Sequence, residues 1–467
     1  MNKILLLSPL LLLLFSCSSS DKDKDTGAWF GGEIINPNAP YIILTKNESV
    51  IDTIPLDQNN RFLYRLDTVE KGIYNFVHIE YQIIYLEPGD SLMARLNTVD
   101  FDESLAFTGR GAERNNFMIN MFLYNEQENK TMPLFYSHPP EEFLSKLDSM
   151  RDIRVQRLEK FDEKISPCKA FLEVADANIL YDYLLKREIY PYAHFGRGAP
   201  IDKSSLGESY YDFRDKIDYN NQKLQTHYAY YRFLLRHFDY LAFEAYSDAL
   251  PYNDESYIHI NNKLNLINDK VTLDTLKNSL LRTSIRRFIL SSRDIESEQK
   301  ALNLYLSLTT DESHKEEIKD LSEASMRLLP GNKLPNLSVV NTSKQTSNII
   351  TVFKKPTVIF FWSLNSVNHY RNIHSKVDEL RQKYPEFDFL ALNTDDNHDA
   401  WVRVVQRNNF KKEFEYRLQD PLKAITELVI NNINKAMIVD KNGVIIDNHT
   451  NLFSTRFEQE LLGHLNK

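Results

Sequence analysis

Cysteine is almost absent from this chain. Its 467 residues hold two, Cys17 and Cys168. Disulfide exchange needs one sulfur to attack and another to leave, so losing either residue to other chemistry removes the last intrachain pair. A strong field of one sign is also missing. With 65 acidic against 56 basic residues the net charge is -9, and no basic stripe suited to nucleic acid is present. Beyond the N-terminus no apolar run approaches the roughly 20 residues that cross a bilayer, so the body is expected to be soluble. No nucleophile-elbow motif or glycine cluster occurs, which leaves a serine nucleophile without an oxyanion hole. His369, His374 and His398 lack i, i+4 spacing on one helix and have no thiolate beside them. They read as scattered surface residues, and neither metal nor cofactor is expected.

What is present begins at the N-terminus. Lys3 precedes a mostly apolar run from Ile4 to Phe15, and small residues follow. A positive end, a short apolar core and a small-residue cleavage point describe a secretory signal peptide, here residues 1–16. Leu14-Phe15-Ser16-Cys17 resembles a bacterial lipobox, which implies that Cys17 becomes the lipidated N-terminus and that Cys168 is the one remaining thiol. Ser18, Ser19 and Ser20 open a flexible tether over 17–26. Ser rather than Asp at position 18 favours the outer membrane, and Asp21-Lys22-Asp23-Lys24-Asp25 resembles the acidic surface-export signal of Bacteroidota lipoproteins. The implied setting is the cell envelope: a lipid anchor in the outer membrane, a body facing the periplasm or the cell surface, and an envelope protein as partner. Asp-Ser/Thr-aliphatic triplets such as Asp52-Thr53-Ile54 and Asp67-Thr68-Val69 resemble O-glycosylation sites of exported Bacteroidota proteins.

The length suits roughly three domains of about 150 residues, and three styles of sequence follow. Residues 27–112 alternate short β-rich runs (Tyr41-Ile42-Ile43-Leu44, Phe62 to Leu66, Tyr74 to Val77, Ser91 to Leu96) with turn residues such as Glu87-Pro88-Gly89-Asp90. Close-spaced strands of this kind predict an antiparallel β-sandwich. Leu86-Glu87-Pro88-Gly89-Asp90, followed by Phe107-Thr108-Gly109-Arg110-Gly111-Ala112, resembles the N-terminal β-domain found on many Bacteroidota thioredoxin-like lipoproteins. Residues 113–329 show helical periodicity, as in Phe143-Leu144-Leu147-Met150 and Leu280-Leu281-Ile285-Phe288-Ile289, and predict an all-α middle domain. Aromatics crowd the stretch from Tyr181 to Tyr257. Their spacing reads as helix-to-helix packing, with an exposed glycan or partner surface as the alternative. Cys168 follows Ser166-Pro167 at a helix start, has no histidine or cysteine near it in sequence, and reads as a structural thiol.

Residues 330–467 alternate strands and helices and end in a hairpin, an α/β domain with a mixed sheet. Thr357-Val358-Ile359-Phe360-Phe361-Trp362 is continuously apolar, as strands buried on both faces are. Three segments, Gly331 to Leu337, Val358 to Ser363 and Met437 to Gly443, together resemble a thioredoxin-like domain of the peroxiredoxin-related periplasmic type. The resemblance implies a Cys-x-x-Cys at the start of the helix after that strand, where a helix N-terminus stabilises a thiolate. Those positions hold Ser366-Val367-Asn368-His369, Asn365 stands where the family has tryptophan, and Asn434 where it has a cis-proline. Serine oxygen does not replace sulfur in disulfide exchange. Ser366 and His369 lie one helical turn apart, within hydrogen-bond reach, but with no orienting carboxylate or oxyanion hole Ser366 reads as a helix cap. The expected function is a non-catalytic scaffold, not an enzyme, whose thioredoxin-like groove (polypeptide-binding in the family) joins an outer-membrane complex as an accessory subunit. The alternatives are a thiol–disulfide oxidoreductase with residual activity and a glycan-binding protein.

Overall fold

The computed structural model describes residues 26–47, 49–78, 80–196, 203–245, 256–292 and 294–465. The expected signal peptide, most of the tether and Cys17 lie outside these. By packing, the chain forms two units, one made of residues up to 131 with Gln156–Ala175, the other of Met132–Val155 with the rest from Asp176.

The first unit holds eight strands: β1 (Ala28–Ile35), β2 (Tyr41–Lys46), β3 (Ser49–Pro55), β4 (Arg61–Leu66), β5 (Gly72–His78), β6 (Glu80–Leu86), β7 (Ser91–Asn97) and β8 (Ala106–Thr108). They form two four-stranded sheets, in the orders β4-β1-β7-β8 and β3-β2-β5-β6. Pairing is antiparallel as expected except between β1 and β7, which run parallel with Trp29 opposite Ser91. Inward residues alternate along the strands, as Leu92, Ala94 and Leu96 do on β7. Phe30 of one sheet meets Phe76 of the other with ring centroids 5.4 Å apart.

The turn and glycine motifs have physical reasons. Gly89 supplies a φ of 84° after Pro88. A Cβ on Gly109 would fall 2.0 Å from the Ser91 carbonyl oxygen, so only glycine fits where β8 leaves β7. The buried Asp90 accepts from the Glu87 backbone N–H at 2.8 Å and from Arg114 at 2.7 Å. A short helix α1 (Phe101–Ser104) precedes β8, and α2 (Ala112–Asn129) follows it. On α2 two asparagines act as backbone substitutes. The Asn115 amide pairs with both N–H and C=O of Tyr85 at 2.8 and 2.9 Å, and Asn116 does the same for Phe107 at 2.9 and 2.8 Å. Each pairs backbone groups of an edge strand, β6 or β8, that would otherwise be left unsatisfied. Phe117 stacks on Phe161 at 4.4 Å, and Phe171 packs edge-on against Tyr85 at 5.2 Å. Cys168 sits in this setting, half-buried, its sulfur 3.4 Å from the Tyr85 hydroxyl.

The second unit begins with α3 (Met132–Phe135). Its helical part draws on α4 (Pro140–Ile165), α5 (Lys169–Phe195), α6 (Lys203–Leu206), α7 (Tyr228–Glu244), α8 (Tyr257–Lys270), α9 (Asp274–Ser291), α10 (Ile295–Leu308) and α11 (Glu312–Arg327). Helices α4 and α5 also supply Gln156–Ala175 to the first unit. The crowded aromatics are its core. Tyr190, Tyr210, Tyr230, Phe233 and Phe238 are buried, and Phe143 stacks on Tyr190 at 4.0 Å. Tyr228 is exposed, whereas the other described aromatics from Tyr181 to Tyr257 are buried or half-buried. Two buried carboxylates of the bundle are ion-paired: Asp182 with Arg154 at 2.6 Å and Lys186 at 2.5 Å, and Glu188 with Arg214 at 2.6 Å and His237 at 2.7 Å.

The C-terminal part is a seven-stranded mixed sheet in the order β10-β9-β13-β12-β11-β14-β15. Its strands are β9 (Ser338–Asn341), β10 (Thr346–Asn348), β11 (Thr357–Trp362), β12 (Asp388–Asn393), β13 (Glu415–Leu418), β14 (Ala436–Val439) and β15 (Ile445–Thr450). Strands β11, β12 and β13 are parallel, and the outer strands antiparallel. The helices are α12 (Val367–Lys383), α13 (His398–Arg407), α14 (Pro421–Glu427) and α15 (Phe457–Leu465). Val358, Phe360 and Trp362 join a core with Ile373, Val377 and Leu461, while Ile359 and Phe361 join one with Ala424 and Leu328. Burial on both sides explains the unbroken apolar run.

Candidate functional site

Helix α12 starts at the carboxyl end of β11, the edge where parallel sheets place ligands. One carboxylate shapes the connection. Asp395, just past β12, accepts the Ser363 hydroxyl and the Leu364 N–H, both at 2.7 Å, and the Asn393 amide at 2.7 Å. The Asn365 N–H turns back to the Ser363 hydroxyl at 3.2 Å and the Ser366 N–H to the Ser363 carbonyl at 3.2 Å. Three consecutive backbone donors at the helix entrance are therefore spent internally. Asp395 is an addition to the residues expected from sequence; the polar run Asn393-Thr394-Asp395-Asp396 at a strand end is the signal that marks it.

The expected site residues gather here but do not join. Asn365, Val367 and Asn368 are exposed, and Ser366 and His369 half-buried. Ser366 occupies the cap position of α12 at φ -114°, ψ 68°, and its side chain makes no capping hydrogen bond, contrary to the sequence reading. Among the described residues no hydrogen bond links Ser366 to His369. Neither His369 ring nitrogen makes a hydrogen bond of good geometry. Burial lowers the affinity of His369 for a proton, with the Asn434 side chain acting the other way. The Asn432–Lys435 connection enters β14, which runs antiparallel to β11 with Ala436 opposite Phe360, so Asn434 lies at the same sheet edge. Phe453 stands edge-on to His369 at 6.3 Å. It and Val367 are 44% and 43% exposed, beside the exposed Asn365 and Asn368.

His374, read from sequence as a surface residue, is buried behind the edge. Its Nδ1 lies 2.6 Å from the Tyr370 carbonyl and its Nε2 2.9 Å from Glu415, and its ring stacks on Phe410 at 3.6 Å. A carbonyl only accepts, so Nδ1 carries a hydrogen and the Nε2–carboxylate contact requires a second, shared proton. Burial raises the Glu415 carboxyl above its ordinary range despite the imidazole and Arg381. His398 lies elsewhere, at the start of α13, edge-on to Trp401 at 5.2 Å. Among the described residues no group of three or more His, Cys, Asp or Glu is placed to hold a metal ion. Beyond the end of β13 the same edge of the sheet opens into a groove of about 530 Å³ lined by Asp396, Asp420, Pro421, Leu422 and Leu337.

A family profile described as thioredoxin-like matches residues 354–445, and the C-terminal domain has that fold. Among solved structures, a Bacteroides vulgatus protein described as a thiol-disulfide oxidoreductase is 19% identical. The match covers 29% of this chain and 97% of that one, with a TM-score of 0.26. A domain of a Cytophaga hutchinsonii protein described as a thiol-disulfide isomerase is 21% identical over 30% of this chain and 95% of its own, at 0.26. The C-terminal domain of a Bacteroides thetaiotaomicron protein described as a thiol-disulfide oxidoreductase is 16% identical over 30% and 98%, at 0.27. No curated protein matches the chain. Neither cysteine falls within residues 330–467.

Proposed function

We propose that this chain is a redox-inert envelope lipoprotein whose thioredoxin-like domain holds a polypeptide partner, as an accessory or scaffolding subunit of an outer-membrane complex. One observation carries the reading. The helix entrance that would present a dithiol presents Ser366 and His369, unconnected to each other, beside the exposed Val367 and Phe453. An activated nucleophile needs a base within reach, and among the described residues no hydrogen bond joins the Ser366 hydroxyl to the His369 imidazole. Exposed apolar side chains at a sheet's ligand-binding edge support protein contact instead. The lipid on Cys17 and the membrane address belong to the same proposal and rest on the N-terminal sequence.

The test is a photo-crosslinking amino acid placed at Val367 in the lipoprotein expressed in its own cells, with Leu462 on α15, 46% exposed, as the control position. A discrete protein adduct from position 367 that is missing from 462 supports the reading. Identical patterns from the two positions, or none from 367, count against it.

A further inference from the structure

The sheet β4-β1-β7-β8 turns one face to the sandwich core and the other to solvent, and its register sorts the outer face into rows. Trp29 of β1 stands beside Arg65 of β4 and Ser91 of β7. Gly31 stands between Leu63 and Met93, and Glu33 between Arg61 and Arg95. The first two rows carry apolar surface: Trp29 is 37% exposed and Leu63 59%. Gly31 leaves room for its neighbours to lie over it, since a Cβ there would fall 2.8 Å from Leu63 Cδ1 and 2.9 Å from Met93 Sδ. The third row is charged. The Arg61 side chain is 62% exposed with Glu33 at 3.6 Å, and Arg95 is exposed beside it.

The occupant of this face follows from the tether. Trp29 is the second residue of β1 and stands 12 positions after Cys17. A flexible segment of that length spans about 20 Å on average and about 40 Å at full extension. A lipid on Cys17 therefore holds the Trp29 row within a few nanometres of the bilayer, at an effective concentration set by the tether. Weak contacts suffice at such concentrations. An indole ring suits the boundary between headgroups and acyl chains, a leucine beside it gains by leaving water, and arginine stems keep their guanidinium groups at the level of the phosphates. We propose that the outer face of this sheet docks on the bilayer that holds the lipid of Cys17, with Trp29 and Leu63 in the interfacial layer and Arg61 and Arg95 at the headgroups. The inference rests on the lipid anchor proposed above and is independent of the reading of the thioredoxin-like edge.

The test uses the lipoprotein purified from its own cells and reconstituted into vesicles of phosphatidylethanolamine and phosphatidylglycerol, with and without bromine on the acyl chains. Trp362 and Trp401 are fully buried, so the bromine quenching that separates wild type from Trp29→Phe reports on Trp29. Quenching of Trp29 is expected. Leu63→Ser should lower the ratio of docked to undocked protein about tenfold, the scale for withdrawing one leucine from an apolar setting. Val50→Ser, on β3 of the other sheet and 62% exposed, should quench as wild type. Circular dichroism would verify that each variant is folded. Absence of Trp29 quenching in protein whose N-terminal peptide carries the acyl mass overturns this inference and leaves the anchor standing, whereas a peptide without that mass overturns both. Equal quenching in the Leu63 variant and wild type, or a Trp29 signal that answers to added envelope glycan or protein and not to bromine, also overturns it.

Discussion

Lys435 gives the sharpest quantitative prediction. Its ammonium donates to the carbonyls of Leu428, at 2.7 Å, and Val429, at 3.2 Å, just past the end of α14. The side chain is buried, and burial brings its proton affinity down to about 8 from an ordinary 10.5, with Asp447 opposing weakly. Between those two values the unfolded chain binds a proton that the native chain has released, so stability must rise with pH across the window. A span of about two and a half pH units at about 1.4 kcal/mol each gives roughly 3 kcal/mol between pH 7.5 and 10.5. Lys435→Met removes this contribution along with the two hydrogen bonds. The assay is urea unfolding of both proteins across that range, followed by tryptophan fluorescence, since Trp362 and Trp401 are buried in this domain. Buried tyrosines such as Tyr210, whose proton burial holds on more tightly, lose stability at high pH in both proteins, and that loss cancels in the difference. Wild type should gain on the variant by roughly 3 kcal/mol toward pH 10.5. A flat difference, or one of opposite slope, would refute the burial argument.

Further outcomes follow from single contacts. Asn115→Ala leaves the Tyr85 N–H and C=O without their partner and should cost about 1–3 kcal/mol in urea unfolding. Ser366→Ala should change stability by less than about 0.5 kcal/mol, because its hydroxyl caps nothing. Asp420→Ala, which removes a real cap on Lys423 of α14, should cost about 1 kcal/mol in the same experiment. Glu415→Gln keeps a hydrogen-bond donor facing His374 Nε2 and should unfold near wild type, whereas Glu415→Ala should lose about 2 kcal/mol or more by thermal melting, from a lost buried partner and a cavity.

The parts of the fold legible in the sequence are those with a local cause. Thr357–Trp362 is apolar throughout because both faces of β11 are covered, and Pro88-Gly89 makes its turn from its own dihedral preferences. The aromatic stretch reads as packing because its helical period is present in the chain itself. What stayed hidden depends on distant partners. Strand β13, Glu415-Tyr416-Arg417-Leu418, has two charged residues in four, and its burial becomes intelligible only with His374, 41 positions away, hydrogen-bonded to Glu415 in the core. The burial of His374 depends on the same distant contact. The absence of a thiol pair at Ser366–His369 is readable residue by residue, yet the idle Ser366 hydroxyl is a matter of backbone angle and appears only in three dimensions.

Disulfide reduction is the direct assay for redox chemistry in the thioredoxin-like domain. Purified wild-type protein and the Cys17→Ser/Cys168→Ser variant would be compared in dithiothreitol-driven reduction of insulin, against the uncatalysed background. Both should run at background. Turnover by wild type that disappears in the cysteine-free variant would contradict it.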